Sequence, residues 1–190
     1  MKDIINLEYF SNLFEVDKSK IPSFIKNIIE KVNFDYDVLK LEEQNKIIDQ
    51  IKSEILNKSF SICGPHRDEL WERCWKEQSE KFINSNYNLE FLVPKFIYSG
   101  KPIRFKGNYI KTKNEEFEKD YIDICRLIIF NKYFEKYENL FEFGCGSGYN
   151  LIRISDLFPN KNIYGLDWST SSVDLVNSFS KFHNFKIKGY

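Results

Sequence analysis

Apolar residues recur at helical spacing through the first part of the chain. Ile25, Ile28, Ile29 and Val32 fall at i, i+3, i+4 and i+7, with Pro22 near the start of the segment. This is the stripe of an amphipathic helix. Ile48, Ile51 and Ile55 repeat the pattern, and Trp71, Cys74, Trp75 and Phe82 share a face in HRDELWERCWKEQSEKF. Each stripe is expected to form core rather than to hold a ligand. Residues 1–86 therefore read as a helical N-terminal region.

The texture then changes. NYNLEFLVPKFIYSGKPIRFKGNYIKTK carries two prolines, two glycines and short apolar pieces. It reads as irregular chain with one short hairpin around Gly100–Lys101. Long irregular segments of this kind often serve as lids or binding loops. A helix resumes with Asn114 as its N-cap and Glu115, Glu116 and Glu118 in the first turn. Phe117, Tyr121, Ile124, Cys125 and Ile128 give it an apolar face. Residues 87–137 are thus a lid-like segment with a lead-in helix.

From residue 138 the rhythm is strand, helix, strand, helix, strand. NLFEF is a short apolar strand, and YNLIRISDLF is a helix stopped by Pro159. NIYGLD is a second strand, STSSVDLVNSFSKFH a helix capped by Ser169 or Thr170, and FKIKGY opens a third strand. Strands alternating with helices at this spacing imply βαβ units and a parallel sheet. The expected fold class is α/β, with a helical N-terminal region before the sheet.

Composition narrows the classes. Hydrophobic residues make up 42% and charged residues 29%, and 28 basic residues balance 28 acidic ones. A net charge of zero argues against a general electrostatic grip on nucleic acid or an anionic membrane. The first residues show no basic segment followed by an unbroken apolar stretch. No run approaches the roughly 18 apolar residues of a membrane span. Cys63, Cys74, Cys125 and Cys145 form no C-x-x-C pair and read as reduced thiols of a cytoplasmic protein. Cys63–His66 (CGPH) is half of a metal pattern with no second half, and reads as a turn in which Pro65 starts a helix. No metal is expected.

The candidate chemistry lies in Gly144-Cys145-Gly146-Ser147-Gly148, which holds three of the chain's eight glycines. The dinucleotide fingerprint G-x-G-x-x-G would need glycine at 149, where Tyr149 stands. A strand–glycine loop–helix unit still brings backbone and a helix N-terminus close to a small molecule. Glu142 ends the strand at the mouth of that loop. A carboxylate there suits a cationic group, such as an amino-acid ammonium, and opposes a pyrophosphate. Asp167 ends the second strand, where an acid accepts hydrogen bonds from a ribose diol. The two carboxylates together ask for a ribose and an amino-acid ammonium on one ligand, and S-adenosylmethionine has both. Trp168 follows and is placed to pack on the ribose or adenine.

LFEFGCGSGYN followed by IYGLDWS resembles the first two motifs of class I S-adenosylmethionine-dependent methyltransferases. By that resemblance Gly144 and Gly146 line the methionine portion, Glu142 contacts it, and Asp167 holds the ribose hydroxyls. Cys145 and Trp168 complete the expected cofactor-binding set. The resemblance covers residues 139–190 and implies the first part of a Rossmann-like domain. That family's sheet has seven strands and there is room here for three, so the chain is expected to be a C-terminally truncated, partial methyltransferase whose bare sheet edge invites self-association.

The expected acceptor is a small molecule or a sugar, with no nucleic acid and no membrane as partner. No catalytic residue is assigned. His183 is expected at the surface, and His66 reaches the site only if the N-terminal region folds over it. Arg104, Tyr109 and Lys111 are candidates for contact with the cofactor's carboxylate or an anionic substrate. Two rival classes stand beside this reading. One is a nicotinamide-dependent dehydrogenase, disfavoured by Glu142 and Tyr149. The other is a non-catalytic interaction module built on a truncated core.

Overall fold

The computed structural model describes residues 4–57, 67–93 and 101–190. In chain order its main elements are α1 (Leu7–Phe14), α2 (Ser23–Lys31), β1 (Tyr36–Val38), α3 (Leu41–Leu56), α4 (Asp68–Asn84), β2 (Ile103–Phe105), β3 (Asn108–Thr112), α5 (Phe117–Phe134), β4 (Asn139–Phe143), α6 (Tyr149–Leu157), β5 (Asn162–Leu166), α7 (Thr170–His183) and β6 (Ile187–Gly189). They fall into two compact units: Met1–Cys63 with Ile97–Cys125, and Gly64–Phe96 with Arg126–Tyr190. The fold is α/β. Among the described residues no helix is long and apolar enough to cross a membrane.

The first unit is built on an antiparallel sheet of order β1-β3-β2. Its core is aromatic. Phe10 and Phe117 are fully buried, and Phe34 meets them edge-on at ring-centroid distances of 5.8 and 5.4 Å, the preferred geometry of ring quadrupoles. The stripe of α2 is core as expected, with Ile25 and Ile29 buried. The apolar face of α5 also holds: Phe117, Ile124 and Ile128 are buried. The helix begins at Phe117, so Glu115 and Glu116 precede it, and Asn114 Oδ1 accepts the Glu116 N–H at 3.0 Å.

Two expectations are corrected here. The hairpin joins β2 to β3 at Lys106–Gly107, both in the left-handed region (φ 48° and 83°), rather than at Gly100–Lys101; Gly100 lies outside the described residues. Positive φ at both central residues matches the right-handed twist of the flanking strands, and glycine supplies it at the second position. The stripe of α3 is not core. Ile48, Ile51 and Ile55 are 38%, 40% and 54% exposed, and the helix buries no residue. Its described attachment is polar: Gln44 donates to the Leu39 carbonyl at 2.8 Å and accepts the Tyr109 N–H at 3.1 Å. Those bonds fix the start of α3 and leave its apolar face outward.

The second unit contains the parallel sheet, of order β4-β5-β6. Register places Phe141 beside Tyr164, Glu142 beside Gly165, and Ile163 beside Ile187. Alternation along each strand sends Leu140, Ile163 and Ile187 to a buried face. There they join Leu151, Leu175, Val176 and Phe179 of α6 and α7, and Phe82 of α4. Phe141 and Tyr164 stack at 4.7 Å on the other side. Among the described residues β4 pairs with β5 alone, and Phe141 and Phe143 are exposed.

Candidate functional site

The chain turns sharply where β4 meets α6. Gly144, Gly146 and Gly148 all have positive φ, at 71°, 52° and 71°, a conformation open to glycine at little cost. The turn is tied to the next strand: Gly144 N–H and Cys145 N–H both donate to the Leu166 carbonyl, at 2.7 and 3.2 Å. Asp167, at the end of β5, accepts the Gly146 N–H at 2.8 Å and the Ser169 N–H at 3.0 Å. Ser172 Oγ donates to the Gly146 carbonyl at 2.6 Å. The loop is therefore held rigidly between the C-terminal ends of two parallel strands, the usual ligand position in open α/β sheets.

A cavity of about 160 Å3 opens on this loop, lined by Gly144, Cys145, Gly146, Ser147 and Tyr149 together with Trp75, Arg126, Glu142 and Asn150. A larger groove of about 490 Å3 runs along the free edge of β4 between Phe130, Phe134 and Ile154. Glu142 and Asn150 line both. Asn150 Nδ2 donates to Glu142 Oε1 at 2.7 Å. That bond sets the orientation of the amide and leaves Glu142 Oε2 and Asn150 Oδ1 buried with no hydrogen-bond partner. Two orphaned acceptors on one hydrogen-bonded pair of residues are costly unless a donor arrives.

Burial raises the Glu142 carboxyl above the ordinary glutamate range, against the opposing pull of Asn150 and of the Arg126 charge. The sign is that of a carboxyl that holds its proton more tightly in the folded chain than in the unfolded one. Its contribution to stability is present at low pH and is lost as pH rises through the raised value. A cation bound beside Glu142 reverses that preference, since it favours the ionised form. Affinity for a cationic ligand is therefore expected to rise with pH through the raised Glu142 pKa, with proton release on binding. Calorimetry in buffers of different ionisation enthalpy checks this, and Glu142→Gln should flatten the profile. A wild-type affinity independent of pH across that range would detach Glu142 from the ligand.

The predicted site residues divide. Glu142, Gly144, Cys145 and Gly146 come together around the cavity. Asp167 adjoins it through Gly146, and Trp168 is exposed and lines neither cavity. The Cys145 thiol packs into the core, where a Cβ on Gly165 would meet its sulfur at 2.8 Å. Burial pushes that thiol up to about 11, so it stays protonated near neutral pH and is no nucleophile. His183 is half-buried, with Nε2 2.8 Å from the Tyr87 carbonyl. Arg104, Tyr109 and Lys111 sit on β2 and β3 of the first unit and line neither cavity. Cys63–His66 lies outside the described residues.

Three residues here were not among the site residues expected from the sequence. Arg126 stands on the cavity wall; its one signal is a lone cation in the apolar run ICRLIIF. Trp75, expected as core of a helix stripe, lies against the glycine loop instead. Glu72 accepts from Ser169 Oγ at 2.6 Å and from Ser171 N–H and Oγ at 2.9 and 2.6 Å, and these bonds hold its carboxyl below the usual range. A protein carboxylate thus occupies the start of α7, where a helix N-terminus favours negative charge. No protein-family model matches the chain, and no curated protein matches it.

Proposed function

We propose that the glycine loop binds S-adenosylmethionine and that the chain carries the cofactor-binding part of a class I, Rossmann-like methyltransferase acting on a small molecule or a sugar. The observation that carries this reading is the pair of buried, unpartnered acceptors, Glu142 Oε2 and Asn150 Oδ1, on two residues of the glycine-loop cavity wall. They call for a donor with several N–H groups and a positive charge, which an amino-acid ammonium provides. Arg126 on the same wall suits the carboxylate of the same amino acid. Asp167, one strand over, keeps lone pairs for a ribose diol beyond its two backbone bonds. The ligand would supply an activated methyl group. The residues named here bind and orient it, and orientation is a large share of the acceleration in such transfers.

A pyrophosphate fits less well, because Glu142 stands on the wall of the glycine-loop cavity and opposes a second anion there. The test is calorimetric titration with S-adenosylhomocysteine and with NAD. Binding of the first and not the second is expected. Asp167→Ala is expected to weaken S-adenosylhomocysteine by roughly 1–3 kcal/mol, the scale of losing charge-assisted hydrogen bonds. Preference for NAD would move the chain to the dehydrogenases. Binding of neither would favour an interaction module.

A further inference from the structure

Trp75 is the one aromatic residue that α4 places on the glycine-loop cavity. The contact is close: a Cβ on Gly146 would lie 2.8 Å from Trp75 Cζ2 and 2.9 Å from Cη2. The indole therefore rests on the bare Cα of Gly146, in the space a side chain would otherwise fill. Its position is fixed from several directions. Glu72, one turn earlier on α4, is bound by three hydrogen bonds to Ser169 and Ser171. Phe82, further along the helix, is fully buried in the core of the unit. Trp71 stacks on Trp75 with centroids 6.2 Å apart and planes 22° from parallel, and the Arg67 guanidinium lies 5.4 Å from the Trp71 ring.

An aromatic wall anchored in this way faces a cavity that also carries Glu142 and Asn150. The carboxylate and amide oxygens suit a hydrogen-bonding cation. The indole suits a different one: a cation with a carbon skin and no protons to donate, attracted by the ring quadrupole. The cavity's 160 Å3 is also below the roughly 300–1,000 Å3 of pockets that enclose whole ligands of drug size. With the indole in place it holds the charged end of a ligand and leaves the rest outside.

We propose that Trp75 is a ligand-contact residue that closes the glycine-loop cavity, its indole lying against a sulfonium while Glu142 takes the neighbouring ammonium. This rests on the S-adenosylmethionine reading above and adds to it a residue from α4 that discriminates the charged cofactor from its neutral product. Such a contact would favour a sulfonium over an uncharged thioether.

The test compares S-adenosylmethionine with S-adenosylhomocysteine on the full chain and on Trp75→Phe and Trp75→Leu. The wild type should prefer the sulfonium. Trp75→Leu should lose about five- to tenfold in sulfonium affinity and less than about twofold in thioether affinity, the range of a cation–π contact. Trp75→Phe should fall between. Equal losses for both ligands would overturn the proposal and leave Trp75 a space-filler. A wild type that binds neither ligand overturns the underlying reading, and this inference with it. If the variants fold poorly, the wild-type indole N–H resonance of Trp75 gives the answer. It should move more with the sulfonium than with the thioether, and a resonance unmoved by bound ligand would overturn the proposal.

Discussion

Replacing Lys161 with methionine is expected to cost about 3 kcal/mol of stability, the scale of losing several hydrogen bonds from a charged donor. Lys161 lies in the turn between α6 and β5 and is only 9% exposed. Its ammonium donates to the carbonyls of Phe134, Glu135 and Tyr137 at 3.1, 2.5 and 2.6 Å. An ammonium has three donors, and all three are used. These carbonyls belong to the end of α5 and the residues after it, where helical C=O groups lack intrahelical partners and the dipole is negative. The Phe158 ring lies 4.7 Å from the same ammonium.

Methionine keeps the length of the side chain and removes every donor, so three carbonyls lose their partner at once. Lys161→Arg keeps the charge, but its planar fork does not reproduce three converging bonds; it should lose less than methionine and more than nothing. The measurement is the urea midpoint of the full chain at constant m-value. An unchanged midpoint for Lys161→Met would mean that water satisfies those carbonyls equally well.

The bond also explains how β4 is placed. The turn that holds Lys161 leads into β5, and the carbonyls it grips lead into β4. The ammonium thus pins the lower ends of two neighbouring parallel strands, while the glycine loop and Asp167 tie their upper ends.

Much of this half of the chain was legible in the sequence because its signals are local. NLFEF is β4 residue for residue. Ser169 caps α7, its Oγ accepting the Ser172 N–H at 3.2 Å. Gly144 to Gly148 had to form a turn whatever surrounded them. By contrast, β1 is three residues long and pairs with β3, Tyr36 opposite Thr112. No local pattern announces such a pairing, since its stabilisation comes from cross-strand packing. The hairpin tip was misplaced because lysine, not asparagine or aspartate, precedes Gly107. Periodicity identified the apolar stripes on α3 and α4 but not what meets them. The α3 stripe faces outward; the α4 stripe, expected as core, leaves Trp71 and Cys74 exposed, sets Trp75 on the glycine loop and sends Phe82 to the core. The site shows the same division. Glu142, Gly144 and Gly146 lie within five consecutive residues and could be grouped as a candidate site from the sequence, whereas Glu72, Trp75 and Arg126 arrive by tertiary packing from two other helices.

Gly146→Val is expected to abolish S-adenosylhomocysteine binding, a loss of at least ~100-fold, or about 2.7 kcal/mol, while the chain still folds cooperatively. Two causes act together. Gly146 has φ 52°, a left-handed conformation that costs an L-residue roughly 1–2 kcal/mol and a β-branched one more. The new Cβ would also lie 2.8 Å from the Trp75 ring, and the helix carrying that ring is anchored through Glu72. Either the indole leaves the cavity or the loop moves, and the loop's N–H and C=O hold Asp167 and Ser172. Each route disrupts the carboxylate expected to bind the ribose or the wall expected to bind the methionine portion.

Neighbouring glycines separate these causes. Gly144 has φ 71° but open space where a Cβ would stand, so Gly144→Ala adds strain without a clash and should bind more weakly but measurably. Gly148 would drive a Cβ to 2.6 Å from Phe179, which is fully buried, so Gly148→Val should damage the fold before it damages the site. Calorimetric titration and thermal unfolding of the three variants give both quantities. Normal affinity in Gly146→Val, with a melting curve close to wild type, would mean that no ligand approaches this loop and that Trp75 covers it for structural reasons alone.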